Sequence, residues 1–282
     1  MRKRGKSFAV WLYGLMLFWG MGGSARAGEL TINGSTTILP FAQVAVERFM
    51  ASRPEVRISL SGGGTGNGIK ALIDGTADIA NASRAIRQGE AERARGKGVN
   101  PVRFVVALDC IVPIVHPGNP VRSLTLDQLK KIYTGEIVNW MEVGGEDAPI
   151  AAVGRDSSSG TYGTWQEMVV ERGDVQGRKS RVAARTQVVA SSGAMVGTVA
   201  GNRFAIGYDG IGYVDDTIRA LSVEGVAPSA ENAKAGRYPL SRELYMYTAG
   251  EPAGDAKSFI DYMLSQDGQR IVEGEGFIPV SR

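Results

Sequence analysis

Two residue types that carry much of protein chemistry are nearly missing from this chain of 282 residues, which has one cysteine, Cys110, and one histidine, His116. A lone cysteine closes no internal disulfide, and in the apolar run Leu108-Asp109-Cys110-Ile111-Val112 it reads as a core thiol. Any Ser–His catalysis would rest on His116, in the turn Val115-His116-Pro117, and no serine sits in a G-x-S-x-G elbow. The glycine run from Gly62 to Gly68 does not match G-x-x-x-x-G-K-[ST], because Ile69 separates Gly68 from Lys70, and no strict G-x-G-x-x-G occurs. A nucleotide site is therefore not expected. Acidic residues are scattered, with Glu90 and Glu92 or Glu142 and Glu146 reading as solvated faces, so neither a metal site nor a cofactor is expected.

A surplus of one charge is lacking as well, once the start of the chain is set aside. The nominal net charge is +3, but residues 1–27 hold five basic side chains (Arg2, Lys3, Arg4, Lys6, Arg26) and no acidic one. The remaining 255 residues carry 27 basic against 29 acidic groups, a net charge of −2. Nucleic acid is not an expected partner on that balance. Long hydrophobic runs are missing too, since the apolar stretch 8–18 falls short of the roughly 20 residues a bilayer-spanning helix needs. With its cationic start and the small-residue site Ala25-Arg26-Ala27, the opening segment reads as an export signal cleaved near Ala27, giving a periplasmic or secreted mature protein. No cysteine adjoins that site to take a lipid. An apolar share of 43% rules out intrinsic disorder and is enough for one large core or two ordinary ones.

Short β-like runs alternate with helical stripes, which predicts an α/β architecture with largely parallel strands. Leu30 and Ile32 begin one strand, Val56, Ile58 and Leu60 another, and residues 77–80 and 104–107 read as buried strands. Phe41, Val44, Ala45 and Phe49 share a helical face, as do Ile69, Leu72 and Ile73, then Trp165, Met168 and Val169, and near the end Phe259, Ile260, Met263 and Leu264. Thr125 and Gln128 form a capping box ahead of Leu129. The stretch 107–115, broken at Pro117, is a candidate crossing between lobes, and 240–248 its return.

What is abundant is glycine, 38 residues, gathered with serine and threonine at a few strand-to-helix junctions. The first is Gly34-Ser35-Thr36-Thr37, the second runs from Ser61 through Thr65 to Gly68, and the third is Gly154-Arg155-Asp156-Ser157-Ser158-Ser159-Gly160-Thr161. Each places free backbone N–H groups and hydroxyl donors at a helix start, where the helix dipole adds about half a positive charge. An oxyanion is the natural guest. Arg155 adds a planar fork suited to two oxygens of one anion. Any one such junction is more simply an ordinary cap and turn; three in one chain, one with an arginine, favour binding. A fourth, Ser191-Ser192-Gly193-Ala194-Met195, lacks a cation nearby in sequence and reads as a capped helix packing at the cleft.

Across essentially the whole chain beyond the leader, these motifs resemble the phosphate-binding subunits of bacterial phosphate ABC importers, the PstS type, in their compact branch. The resemblance runs from Gly34-Ser35-Thr36 through Gly75-Thr76-Ala77-Asp78-Ile79 and the Arg155 to Thr161 loop. It continues in Ala205-Ile206-Gly207-Tyr208 and Tyr238-Pro239-Leu240-Ser241-Arg242. It implies a two-lobe periplasmic binding protein fold, with two strand crossings forming a hinge that closes on ligand. One lobe would combine residues 28–108 with 240–282 and the other would hold 109–239. Ser35 and Thr36 look like the family's first phosphate contact, Thr65 like its hydroxyl donor, and Arg155, Ser159, Gly160 and Thr161 like its Arg-x-x-x-Ser-Gly-Thr clamp. The implied function is capture of inorganic phosphate outside the cytoplasm and delivery to a membrane permease, with no bond made or broken and no cofactor.

One position departs from the longer members of the family. Where they carry an Asp that accepts the ligand's proton, in a segment like Asp78-Ile79-Ala80-Asn81-Ala82-Ser83-Arg84, this chain has Ser83 followed by Arg84. Phosphate near neutral pH keeps a proton and sulfate keeps none, so an acceptor-only carboxylate pairs with the first and repels the second. Ser83 can accept but cannot repel. Arg84 would add a second cation if turned inward, or else serve as a surface ion-pair partner, and Asp156 is a candidate acceptor. Two other functions therefore stay open: a binder of another oxyanion such as sulfate or molybdate, and an extracellular phosphatase or adhesin using the same pocket. For the enzyme no nucleophile–base pair is visible.

Overall fold

A computed structural model describes residues 29–175 and 179–280, and the export signal with its cleavage site lies outside them. Leu30 and Ile32 alternate with polar residues to make β1 (Glu29–Gly34). In α1 (Leu39–Ser52), Phe41, Ala42, Ala45, Val46 and Phe49 bury one face, with Pro40 in the first turn, where its missing N–H costs nothing. β2 (Arg57–Gly62), α2 (Thr65–Ile73), β3 (Ile79–Ala82) and α3 (Gln88–Gly96) follow. The long β4 (Val102–Val115) leads to β5 (Ser123–Leu124), α4 (Leu126–Thr134), β6 (Ala151–Arg155) and α5 (Gly160–Trp165). Then come β7 (Gln187–Val189), α6 (Ser192–Ala200), β8 (Ala205–Gly210), β9 (Arg219–Ala220), β10 (Ser222–Val223) and α7 (Ala230–Lys234). β11 (Ser241–Thr248), α8 (Gly254–Leu264) and α9 (Gln266–Gly274) end the described chain.

The main sheet runs β2-β1-β3-β11-β4-β8-β6-β7, with β9 also on β4. The β1–β2, β1–β3, β6–β8 and β6–β7 pairs are parallel, as the alternating pattern predicts, but β11–β3, β11–β4 and β4–β8 are antiparallel. The exception has a topological cause: a strand that carries the chain into a second lobe must be answered by one that brings it back. β4 is that strand, pairing with β11 over Val102 to Cys110 and with β8 over Ile111 to Val115.

Hydrophobic burial divides the same way, giving two lobes. One core gathers Leu30, Ile32, Phe41, Phe49, Met246, Phe259 and, from β4, Val106 and Ala107. The other gathers Trp140, Trp165, Tyr208 and Leu240 with β4 residues Cys110, Ile111, Val112, Ile114 and Val115. Cys110 is fully buried, and burial pushes its thiol up to about 12, which suits an inert core group. The chain end returns to the crossing, where Leu108 and Ile278 exchange backbone hydrogen bonds of 2.7 and 3.1 Å. Phe277 packs in the first core and Ile278 in the second.

Two element starts differ from the sequence reading. β3 begins at Ile79, two residues later than predicted, because Asp78 takes the Thr31 N–H on its own carboxylate (2.8 Å) and gives its N–H to Thr31 O (2.9 Å) before sheet pairing begins. α2 begins at Thr65, ahead of its first apolar residue, because Gly68 lets the first turn lie on β1, where a Cβ would come 2.6 Å from Asn33 O.

Candidate functional site

Four helices start where a strand of the sheet ends: α1 after β1, α2 after β2, α5 after β6 and α6 after β7. Since ligands of open α/β sheets bind beyond the carboxyl ends of the strands, these four turns are the place to look. The N-cap residues of α1 and α2, Ile38 and Gly64, offer no side-chain cap. α5, which runs on without a break into a π-helical turn over Gln166–Val170, is capped by Ser159 on Tyr162 N, and α6 by Ser191 on Ala194 N.

The turns meet. Ser35 Oγ donates to Ser83 Oγ (2.9 Å), Ser83 N–H donates to Thr65 Oγ1 (3.0 Å), and Thr37 N–H donates to Ser35 Oγ (3.2 Å). Across the lobes Thr37 Oγ1 and Thr161 Oγ1 are hydrogen-bonded at 2.8 Å, Gly66 N–H donates to Ser158 O (2.8 Å), and Ser158 Oγ lies 3.2 Å from Gly63 O. Ser35, Thr36, Thr37, Thr65, Ser83, Ser159 and Thr161 are all buried. The approach is close enough to require glycine at two points. A Cβ on Gly160 would lie 2.3 Å from Thr65 Oγ1 and 2.5 Å from Ser83 Oγ, and one on Gly64, at φ +91°, would lie 2.3 Å from Ser158 Oγ.

Arg155, at the end of β6, is the cation in this cluster and is only 3% exposed. Its Nε donates to Val189 O (3.2 Å), Nη1 to Ser192 Oγ (3.2 Å), and Nη2 to Thr36 Oγ1 (3.1 Å) and Ala190 O (3.1 Å). Ser192 Oγ in turn donates to Asp209 Oδ1 (2.9 Å) at the end of β8. Burial pushes the Asp209 carboxyl up to about 6, and Arg155 opposes the rise.

The structure places the other arginines differently from the sequence expectation. Arg84 is neither a cation open to the cleft nor a surface pair: both its terminal nitrogens sit 2.8 Å from the two oxygens of buried Glu90. Glu90 is accordingly no solvated residue. Burial pushes its carboxyl up, but Arg84 and the Arg87 N–H outweigh this and hold it below the usual range. Arg242 faces fully buried Asp109, with Nε donating to Oδ2 at 2.8 Å and Nη2 2.7 Å from the same oxygen, while Nη1 donates to Ser83 O (3.1 Å). Burial pushes Asp109 up, against the pull of Arg242. Asp156 is tied into its own turn by Ser158 N–H (2.8 Å) and Ser158 Oγ (2.5 Å).

The fourth junction is corrected as well. Ser191 does cap α6, but Ser192 joins the cluster, because its cation arrives from Arg155, 37 residues earlier in the chain. Thr37 and Arg242 stand within the sequence motifs without a role of their own there, and Asp109 and Asp209 carry no functional signal in the sequence reading. The only sequence signal for Asp209 is an acidic residue closing the apolar strand Ala205-Ile206-Gly207-Tyr208.

This chemistry suits holding an anion. The hydroxyls pair with one another and with a guanidinium, while His116 keeps its Nδ1 on Gly118 N–H (2.9 Å) in its own turn. No grouping of acidic, histidine and cysteine side chains able to hold a metal occurs among the described residues. A groove of 660 Å³ lined by Lys234, Gln266, Gln269, Arg270 and Glu273 includes none of the four turns.

Residues 21–267 match the PBP superfamily domain. The chain is 35% identical over 262 residues to the phosphate-binding protein PstS of Bacillus subtilis, an alignment covering 92% of this chain and 83% of that one. Among solved structures, a Clostridium perfringens protein, described as a phosphate ABC transporter substrate-binding protein and solved with bound phosphate, superimposes with a TM-score of 0.82. The two are 37% identical, over 90% of this chain and all of that one. An ABC-type phosphate transport receptor from Vibrio cholerae gives a TM-score of 0.71 and 33% identity, over 89% of this chain and 99% of that one.

Proposed function

The chain belongs to the PBP superfamily and, within it, to the PstS family, and on that premise we propose that it captures inorganic phosphate between its two lobes and delivers it to the membrane permease of an ABC importer. The observation that carries the proposal is the meeting of hydroxyls and helix starts from both lobes around Arg155. Of Arg84, Arg155 and Arg242, which all hydrogen-bond within or beside the cluster, Arg84 is answered by Glu90 and Arg242 by Asp109, which leaves Arg155 as the charge for a bound anion. A tetrahedral oxyanion entering there exchanges hydroxyl–hydroxyl contacts for hydroxyl–oxyanion ones, which are shorter and stronger. It also meets the starts of α1 and α2, whose N-cap residues offer no side-chain cap, at the positive ends of two helix dipoles.

Because Thr36 and Thr65 come from one lobe and Arg155 and Thr161 from the other, the full donor set exists only when the lobes are closed. Phosphate therefore stabilises the closed form through its differential contacts with it. A permease that recognises that form meets only loaded protein. Binding proceeds without turnover, and Ser35, Thr36, Thr65, Ser83, Ser159, Gly160 and Thr161 line the ligand. Arg84 braces the loop of Ser83 through its bonds to Ala85 O and Glu90. Export to the periplasm or beyond rests on the leader; no helix among the described residues is long and apolar enough to cross a membrane.

Calorimetry on the mature protein tests the reading. Phosphate is expected to bind in preference to sulfate and molybdate, and Arg155→Ala to weaken phosphate binding at least about tenfold, since a lost buried charge-assisted partner costs about 1.5–3 kcal/mol. Unchanged affinity in that variant would refute the assignment of Arg155, and release of phosphate from a phosphomonoester would refute binding without turnover.

A further inference from the structure

Asp209 has no part in the proposal above, and its position is unusual for a carboxylate. It is fully buried; Oδ1 accepts from Ser192 Oγ (2.9 Å) and from Gly210 N–H (2.8 Å), while buried Oδ2 has no partner among the described residues. A buried acceptor without a donor is costly and demands an explanation. The end of β8 packs directly beneath the first turn, since a Cβ on Gly210 would lie 2.9 Å from Thr37 Cγ2. The Ser192 hydroxyl links Asp209 to the donors of the cleft: its Oγ lies 3.3 Å from Thr36 Oγ1 and 3.2 Å from Arg155 Nη1.

We propose that Asp209 is the group that distinguishes a protonated oxyanion from a fully ionised one, with Oδ2 accepting the hydrogen of a phosphate P–OH and repelling sulfate. The inference rests on the phosphate reading and supplies the repelling charge that Ser83 lacks. An acceptor-only oxygen gains a charge-assisted hydrogen bond from a P–OH that offsets its repulsion by the anion, whereas a bare sulfate oxygen offers no hydrogen and leaves that repulsion unrelieved in a site shielded from water. The charged and titratable groups facing Asp209 among the described residues are Arg155 from β6, Arg242 from β11, Asp109 from β4, Tyr208 beside it on β8 and Tyr213 just beyond β8. Arg242 and Asp109 are occupied with each other, and the Tyr213 hydroxyl donates to Thr36 O (2.6 Å). With burial holding Asp209 near 6, its carboxyl is an acceptor at pH 8 and a donor at pH 5.

Calorimetric titration of phosphate and sulfate into wild type and Asp209→Asn between pH 5 and 8 tests this. The amide is nearly isosteric and can donate, so the phosphate-over-sulfate ratio at pH 8 is expected to fall at least tenfold, mainly through gained sulfate binding. Sulfate stays a dianion throughout, so its affinity for wild type is expected to rise several-fold as pH falls through about 6, and to be flat in the variant. The wild-type profile needs no substitution and holds even if the variant folds poorly. A flat wild-type sulfate profile, or an unchanged ratio in a folded variant, overturns the role of Asp209 while leaving phosphate capture standing. Failure of wild type to bind phosphate at all overturns the function itself.

Discussion

Gly160→Ala is the sharpest probe of lobe closure, because the added methyl does nothing but occupy the space between the lobes. A Cβ there lies 2.3 Å from Thr65 Oγ1 and 2.5 Å from Ser83 Oγ, both on short side chains in the opposite lobe that are held by one another. Reaching ordinary van der Waals contact requires the lobes to part by about 1 Å. That stretches the interlobe bonds Thr37–Thr161 and Gly66–Ser158, both 2.8 Å, to about 3.8 Å, beyond hydrogen-bonding range. Two bonds at about 1 kcal/mol each, with at least one contact to the bound anion at about 1.5–3 kcal/mol, amount to about 4 kcal/mol, a loss of several hundredfold in affinity. The fold itself is untouched, since Gly160 opens α5 and alanine is the better helix former. Phosphate titration followed by the fluorescence of Trp165, which stacks on Tyr208 at 4.2 Å, reads the effect beside a thermal melt without ligand. Affinity within about threefold of wild type would show that closure does not bring these turns together. A large loss of melting temperature without ligand would show that the clash lies within a lobe.

Arg242→Met leaves Asp109 buried without a counter-charge and is expected to cost about 3–5 kcal/mol by denaturant unfolding; adding Asp109→Asn is expected to restore most of it, and no restoration would mean that Arg242 acts through Ser83 O instead. Glu90→Gln leaves Arg84 unanswered and destabilises the protein at neutral pH. Because the Glu90 carboxyl is held below its ordinary value, its contribution is present at neutral pH and lost as pH falls through that lowered value, so an acid-unfolding profile is expected to lose this component in the variant. Asp209 works in the opposite direction: with its carboxyl raised to about 6, its contribution is whole below its ordinary value near 3.8 and is lost as pH rises through about 6, a change of about 3 kcal/mol. Melts of ligand-free protein across that window, compared with Asp209→Asn, are expected to show the difference, and parallel profiles would contradict it.

The strands and helices were legible because their signals are local: alternation at Leu30 and Ile32, a stripe from Phe41 to Phe49, and the Thr125–Gln128 capping box, which forms with bonds of 2.9 and 3.1 Å. The strand-turn-helix junctions were legible for the same reason, since glycine, serine and threonine act within a few residues of where they stand. The charges were not. Arg84 was open to either reading until Glu90, six residues on, was seen to turn back onto it. Ser192 looked idle until Thr36, 156 residues earlier, and Arg155 came to its side. Asp209 is a single letter at the end of an apolar strand until burial removes its solvent and leaves one oxygen unanswered. Thus the sequence alone determined the elements, the turns and the kind of guest they suit, because propensity and donor chemistry belong to each residue. Only the tertiary structure decided which cation remains available and which acid faces it, because a charge's role depends on its neighbours in space and on the water they exclude.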